Sequence, residues 1–191
     1  MQAPKTLVLF ALTVLFSLTS SLTLAADGPR VRMQTNKGVV IIELDPNRAP
    51  LSVENFLAYV RSGHYQGTVF HRVIANFVAQ GGGYDEKLTE KPTRTPVPNE
   101  AGNGLSNKRG TIAMARTGNP HSGTSQFYIN LQDNLALDPQ VSRWGYAVFG
   151  RVVEGMEVMD AIAAVETGEV GTFKNDAPLK AVVIQKMEEL K

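Results

Sequence analysis

The sequence predicts a mainly β domain, a barrel or sandwich with two helices covering its ends, and three features carry that prediction. Short apolar segments bounded by Gly, Pro, Asn and Asp recur from residue 31 to residue 187. Only two segments repeat their apolar residues at helical spacing. Nothing alternates strand with helix in the rhythm that builds a parallel sheet.

Residues 31–35 and 39–44 read as the first two strands, joined by a hairpin turn at Asn36-Lys37-Gly38 in which Gly38 can take positive φ. A helix follows Pro50 with Ser52 as its N-cap. Val53, Phe56, Leu57 and Val60 form its apolar stripe, and Gly63 stops it. Strands follow at residues 68–74, 77–80, 110–115, 126–131 and 146–152. A second helix presents Val158, Met159, Ile162 and Val165 on one side, and a last strand at 179–187 closes the domain. Residues 83–109 and 132–145, rich in Gly, Pro, Asn and Asp, read as long loops. No repeat or linker divides the chain, so residues 30–191 are expected to form one domain.

Residues 1–25 read as a secretory signal peptide. Lys5 precedes an apolar run over residues 7–24 broken only by Ser and Thr, and the small pair Ala25-Ala26 stands before polar Asp27-Gly28-Pro29. Cleavage after Ala25 or Ala26 and a periplasmic destination are expected. An uncleaved anchor is the alternative, but the run is near the lower limit for a span and no positive cluster follows it. A stable membrane association is therefore not expected.

The 191 residues, 43% hydrophobic and 19% charged, suit an ordinary globular core. Basic residues number 19 and acidic residues 18; Lys5 is the only leader charge, so its removal leaves 18 against 18. That balance offers no basic field to attract nucleic acid. The chain has no cysteine, which excludes disulfides, thiol catalysis and cysteine metal sites. With no unexplained apolar surface, a monomer is expected.

Two stretches break the simple alternation of a half-buried strand. Arg72 sits among Phe70, Val73 and Ile74, while Val78 and Gln80, two apart, share a face. Gln126 and Tyr128 likewise share one face, with Phe127 and Ile129 on the other. Each strand thus has a core face and a mixed face, and the mixed face suits a small apolar group flanked by peptide bonds.

These stretches resemble the cyclophilin family. The matching pieces are Phe-His-Arg-Val-Ile at 70–74 with Phe77, Gln80, Gly81 and Gly82, Gly-Thr-Ile-Ala-Met-Ala at 110–115, Ser-Gln-Phe-Tyr-Ile at 125–129 and Val-Phe-Gly-Arg-Val at 148–152. The long segment from Asn99 to Gly110 and the leader are most similar to the bacterial periplasmic branch. The resemblance implies a closed eight-stranded antiparallel β-barrel capped by two α-helices, with the site in an outer groove. It implies a peptidyl-prolyl cis/trans isomerase acting on proline-containing polypeptides, with no cofactor and no metal.

Carried over by residue, Arg72 matches the catalytic arginine and Gln80 its substrate-binding neighbour. Phe77, Val78, Tyr128 and Leu137 match the proline pocket, and Ala115 and Gln126 the positions that receive the residue before proline. Val78 stands where methionine is commoner, which predicts a roomier pocket. Tyr128 replaces phenylalanine and is expected to bring a hydroxyl to the rim, and Tyr146, also a candidate binding residue, stands where many members have histidine. Ala136 occupies the position of an aromatic that the inhibitor cyclosporin leans on, so weak cyclosporin binding is expected.

Other signals lead elsewhere. His64 and His71 lack the helical spacing and acidic neighbours of a zinc site. Ser125 lies outside any Gly-x-Ser-x-Gly elbow, and the glycines at 81–83 precede no helix that could hold a phosphate, so tight backbone geometry explains them better.

Overall fold

The computed structural model describes residues 28–191; the signal peptide expected at residues 1–25 lies outside the described residues. Strand formation follows the apolar alternation. β1 (Arg30–Thr35) buries Val31, Met33 and Thr35, and β2 (Gly38–Leu44) buries Val40, Ile42 and Leu44. The two pair antiparallel with Thr35 opposite Gly38, and Gly38 has the positive φ, +141°, that the tight turn requires.

Six further strands complete the barrel: β3 (Thr68–Ile74), β4 (Val78–Asp85), β5 (Thr111–Met114), β6 (Phe127–Asn130), β7 (Val148–Glu154) and, after a separate hairpin of β8 (Thr167–Val170) and β9 (Phe173–Pro178), β10 (Val183–Leu190). The eight close in the order β1-β10-β3-β4-β6-β5-β7-β2, every neighbour antiparallel. The last strand begins and ends later than its expected bounds, and Leu179 is left about half exposed.

Helix α1 (Pro50–Arg61) lays Val53, Phe56, Leu57 and Val60 on the core as its stripe predicts. The Phe56 ring stands 5.2–5.6 Å from the rings of Phe149, Tyr65 and Phe127, and burial of such a side chain stabilises by roughly 1.5–3 kcal/mol. Ser52 is not the N-cap; that position is Ala49, which has no capping side chain. The helix start is instead held by Glu100, whose carboxylate accepts from the Leu51 and Ser52 N–H groups at 3.0 and 2.7 Å and from the Ser52 hydroxyl at 2.6 Å. A carboxylate satisfies several donors and also suits the positive end of the helix dipole, so a distant loop displaces the local cap.

Gly63 ends the helix as expected, at φ +70°, with its N–H on Val60 O and the His64 N–H on Tyr59 O. In α2 (Met156–Ala163), Met159 and Ile162 are fully buried; Val158 and Val165 pack partly buried against the core, Val165 from beyond the helix end.

The β8–β9 hairpin falls outside the sequence-predicted elements. It packs against β3, where the Phe173 ring stands 5.2 Å from His71 and 5.0 Å from Tyr84. This cover explains why Val69 and His71, as well as core-facing Phe70 and Val73, are buried.

Candidate active site

Strict alternation along β3 would put Phe70 and Arg72 on the same face. The register forbids it: Phe70 lies opposite Gly81 while Arg72 lies opposite Gln80, so two steps on β3 match one on β4 and His71 is the extra residue. Phe70 and Val73 therefore both enter the barrel core, while the Arg72 side chain stays 39% exposed outside it. The bulged His71 is buried beneath the hairpin, with no hydrogen-bond partner for Nδ1 among the described residues. Burial is the chief cause that pushes its imidazole down to about 4; the Val69 carbonyl opposes this and the neighbouring Arg72 charge adds to it.

From Arg72 one row of residues runs across the sheet. Arg72 is opposite Gln80, Gln80 opposite Tyr128, Tyr128 opposite Ala113 and Ala113 opposite Val148. Tyr128, Ala113 and Val148 belong to a second apolar cluster, distinct from the barrel core, that also contains Val78 and Ala115. Phe77, Leu105, Leu137 and Tyr146 pack half-buried around it.

Six nominated residues (Phe77, Val78, Ala115, Tyr128, Leu137 and Tyr146) thus share one apolar cluster. Gln80 and Gln126 meet beside it, the Gln80 amide donating to Gln126 Oε1 at 2.9 Å, and the Ala115 N–H donates to the Gln126 carbonyl at 3.0 Å. Sequence reasoning missed Leu105, Ala113 and Val148. Period-two spacing from Ala115 and from Tyr146 could have found the last two, whereas Leu105 lies in a loop without periodicity.

Close backbone approach accounts for the glycines beside this site. At Gly82, φ is +85° and a Cβ would stand 2.8 Å from the Tyr65 ring; at Gly83 a Cβ would stand 2.5 Å from Gln126 Cγ. The second contact shows why Gln126 can lie across β4 and reach Gln80.

The Tyr128 hydroxyl does not stand at the rim, as its residue type suggested. Tyr128 is buried, and its hydroxyl donates to Asn107 Oδ1 at 2.7 Å. Asn107 is fully buried; Oδ1 also accepts from Asn130 Nδ2 at 3.2 Å, and both its backbone N–H and its amide donate to Asp138 Oδ1. Asn134 continues the network, donating to Asn130 Oδ1 and to the Phe77 carbonyl, both at 2.8 Å. Its own carbonyl accepts from the Leu137 N–H, in the 3-10 turn Leu135–Leu137. Buried asparagines therefore fix three walls of the cluster at once. Burial chiefly, then Tyr146 and Asp138, push the Tyr128 phenol well above its ordinary value, so it remains a donor.

Tyr146 stands edge-on to Tyr128 at 5.8 Å, and the Arg116 guanidinium lies 4.3 Å over its ring. Arg116 is held there by the Trp144 and Gly145 carbonyls. The Trp144 ring is half exposed and packs against His121. Ala136 is exposed, with its carbonyl accepting from Arg143. Ser125 Oγ is buried and has no hydrogen-bond partner among the described residues, so no base stands beside it for hydrolysis.

Residues 30–189 match the family model described as cyclophilin type peptidyl-prolyl cis-trans isomerase/CLD. A peptidyl-prolyl cis-trans isomerase A from Dickeya dadantii is 48% identical over 186 residues, covering 96% of this chain and 97% of its own. Peptidyl-prolyl cis-trans isomerase B from Escherichia coli is 48% identical over 158 residues, 81% of this chain and 96% of its own. Among solved structures, a Cryptosporidium parvum cyclophilin type isomerase superposes with TM-score 0.71 at 26% identity, covering 85% of this chain and 98% of that one. The same protein in the presence of the dipeptide Ala-Pro gives 0.70, again at 26% identity and over 85% and 99% of the two chains. The closed barrel, the outer cluster beside Arg72 and these likenesses agree: this chain belongs to the cyclophilin-type peptidyl-prolyl cis-trans isomerases and is an enzyme of that class.

Proposed function

We propose that this isomerase accelerates X-Pro rotation in exported polypeptides and so assists their folding, with Arg72 hydrogen bonding the proline nitrogen in the twisted transition state. Resonance gives the peptide C–N bond a barrier of roughly 18–20 kcal/mol. Twisting removes that resonance and makes the proline nitrogen pyramidal, exposing a lone pair that neither ground-state isomer offers. A guanidinium aimed at it binds the transition state better than either isomer. Arg suits the task because it is always charged, forked and weakly hydrated.

Turning over in about a millisecond instead of about a hundred seconds takes five decades, or roughly 7 kcal/mol. One charge-assisted hydrogen bond supplies about 1.5–3 kcal/mol. The remainder is assigned to gripping the ring among Phe77, Val78, Tyr128 and Leu137 while the acyl side turns. Ala115 and Gln126 receive the residue before proline, Gln80 binds the substrate backbone, and Tyr146 flanks the groove.

The observation that carries this reading is the row from Arg72 through Gln80 to Tyr128 and Ala113, which sets a solvent-reaching cation and an amide beside an apolar cluster on one outer face. The engagement of the Tyr128 hydroxyl by Asn107 adds support, because the ring then meets a substrate much as a phenylalanine would. In a protease-coupled X-Pro peptide assay, Arg72→Ala should keep the fold and lower kcat/KM by about a hundredfold or more, the loss of a charge-assisted bond and of alignment together. A rate near that of the wild type would refute the role.

Export rests on the leader, with its apolar run ending at Ala25-Ala26. The likeness to the Dickeya protein spans 96% of the chain, more than residues 28–191 alone could supply. Mass spectrometry of protein recovered from the periplasm should find an N-terminus at Ala26 or Asp27. Recovery of the chain from Met1 would contradict export by cleavage.

A further inference from the structure

The β8–β9 hairpin brings a charge to Arg72 that the substrate groove does not account for. Asp176, on β9, stands with Oδ2 3.8 Å from Arg72 Nε, an ion pair with each side chain about two-fifths exposed. Asp176 also has φ +63°, one of three non-glycine residues at positive φ among the described residues. Aspartate tolerates that conformation better than most side chains, yet it remains sparsely populated, and it persists where surrounding structure imposes it.

Here the imposing structure is visible. Phe173 packs against His71 and Tyr84, Ala177 and Pro178 are buried, the Leu179 N–H donates to the Glu166 carbonyl, and Lys174 pairs with Glu169 across the hairpin. The same layer sets both partners. His71 is the bulged residue that turns its neighbour Arg72 outward, and the buried Ala177 anchors its neighbour Asp176 against β3.

We propose that Asp176 is a positioning residue for Arg72: its carboxylate restrains the Nε side of the guanidinium and leaves the terminal nitrogens for the proline nitrogen. This rests on the transition-state role proposed for Arg72. A flexible arginine reaches the lone pair only in part of its rotamers, and a fixed anion behind it raises that fraction without touching substrate. The effect therefore falls on kcat, since ring binding in the apolar cluster does not involve Asp176.

The test is a double-mutant cycle in the peptide assay, with kcat and KM separated. Asp176→Asn keeps a residue that tolerates positive φ and removes the charge; Asp176→Gly relieves the backbone and removes the whole side chain. Both should lower kcat about 3- to 10-fold with KM within twofold of wild type and a melting temperature no lower than that of the wild type, Asp176→Gly by the larger factor. In an Arg72→Lys background, where the forked partner is gone, Asp176→Asn should change kcat less than twofold. The side-chain Nε–Hε resonance of Arg72 should shift in Asp176→Asn, a readout independent of turnover.

An unchanged kcat in both Asp176 variants, or an equal loss in the Arg72→Lys background, would overturn the proposal while leaving Arg72 catalytic. A wild-type rate for Arg72→Ala would instead remove the reading on which it depends.

Discussion

The buried link between Asn107 and Tyr128 makes a quantitative prediction. Asn107→Ala deletes the acceptor of the Tyr128 hydroxyl, one of two partners of Asn130 Nδ2 among the described residues, the amide bond to Asp138 and the longer one, 3.4 Å, to the Tyr146 carbonyl. Asn130 keeps Thr111 Oγ1 at 2.9 Å, and Asp138 keeps the Asn107 backbone N–H at 2.7 Å. The Tyr128 hydroxyl keeps nothing. A neutral hydrogen bond at about 0.5–1.5 kcal/mol, the bond to the Asp138 carboxylate at about 1.5–3 kcal/mol and one orphaned buried donor at about 1–3 kcal/mol place the cost at no less than about 3 kcal/mol. For a domain of this size that is a fall in Tm of roughly 6–12 °C or more.

Tyr128→Phe alone leaves Asn107 Oδ1 with the Asn130 donor, so it should cost under about 1 kcal/mol. In the double variant the orphan no longer exists, and about 1–2 kcal/mol of the Asn107→Ala loss should return. Urea titration of the four proteins closes the cycle, and the isomerase assay on the same samples should show KM rising in Asn107→Ala as the Tyr128 and Leu137 walls loosen. Additive losses, with nothing recovered in the double variant, would show that the hydroxyl does not depend on Asn107 and refute the reasoning.

Three further outcomes are expected. His71 titrates near 6.5 unfolded but at about 4 folded, so the unfolded chain binds the extra proton first; stability is full above about pH 6.5 and falls by about 3 kcal/mol toward pH 4. Denaturant titrations across that window should flatten in His71→Phe by that amount, and parallel curves would rule out the assigned titration. Gly83→Ala should displace Gln126 and raise KM several-fold with stability lowered by about 1 kcal/mol or more, because the added Cβ overlaps the Gln126 side chain from Cγ to its amide and the bond to Gln80 is lost with it. An unchanged KM would remove Gln126 from the substrate site. Cyclosporin should bind weakly to the wild type, and Ala136→Trp, at an exposed position, should tighten binding about tenfold or more by adding aromatic contact; tight binding to the wild type by calorimetric titration would contradict the role given to Ala136.

Much of the fold is local and was legible for that reason. Alternation sets β1 and β2 face by face, the stripe from Val53 to Val60 sets the buried side of α1, and Gly38 and Gly63 stand where turn geometry requires positive φ. The faces of β6 were readable too, because its alternation is unbroken: Phe127 and Ile129 fill the barrel while Tyr128 joins the outer cluster. The β8–β9 hairpin was not readable, since Thr167–Val170 and Phe173–Pro178 carry mostly polar residues and glycine, and its stability comes from Phe173 meeting His71 and Tyr84.

What the sequence by itself determined is which residues have the chemistry for the site and which strand faces are apolar, because both follow from side-chain type and period. Tertiary structure alone decided how they are presented. Whether Arg72 points into the core or out of it depends on one extra residue in a pairing register; whether a tyrosine hydroxyl meets substrate or protein depends on an asparagine twenty-one positions earlier. Strand register and buried hydrogen bonds are relations between distant segments, and no local pattern encodes them.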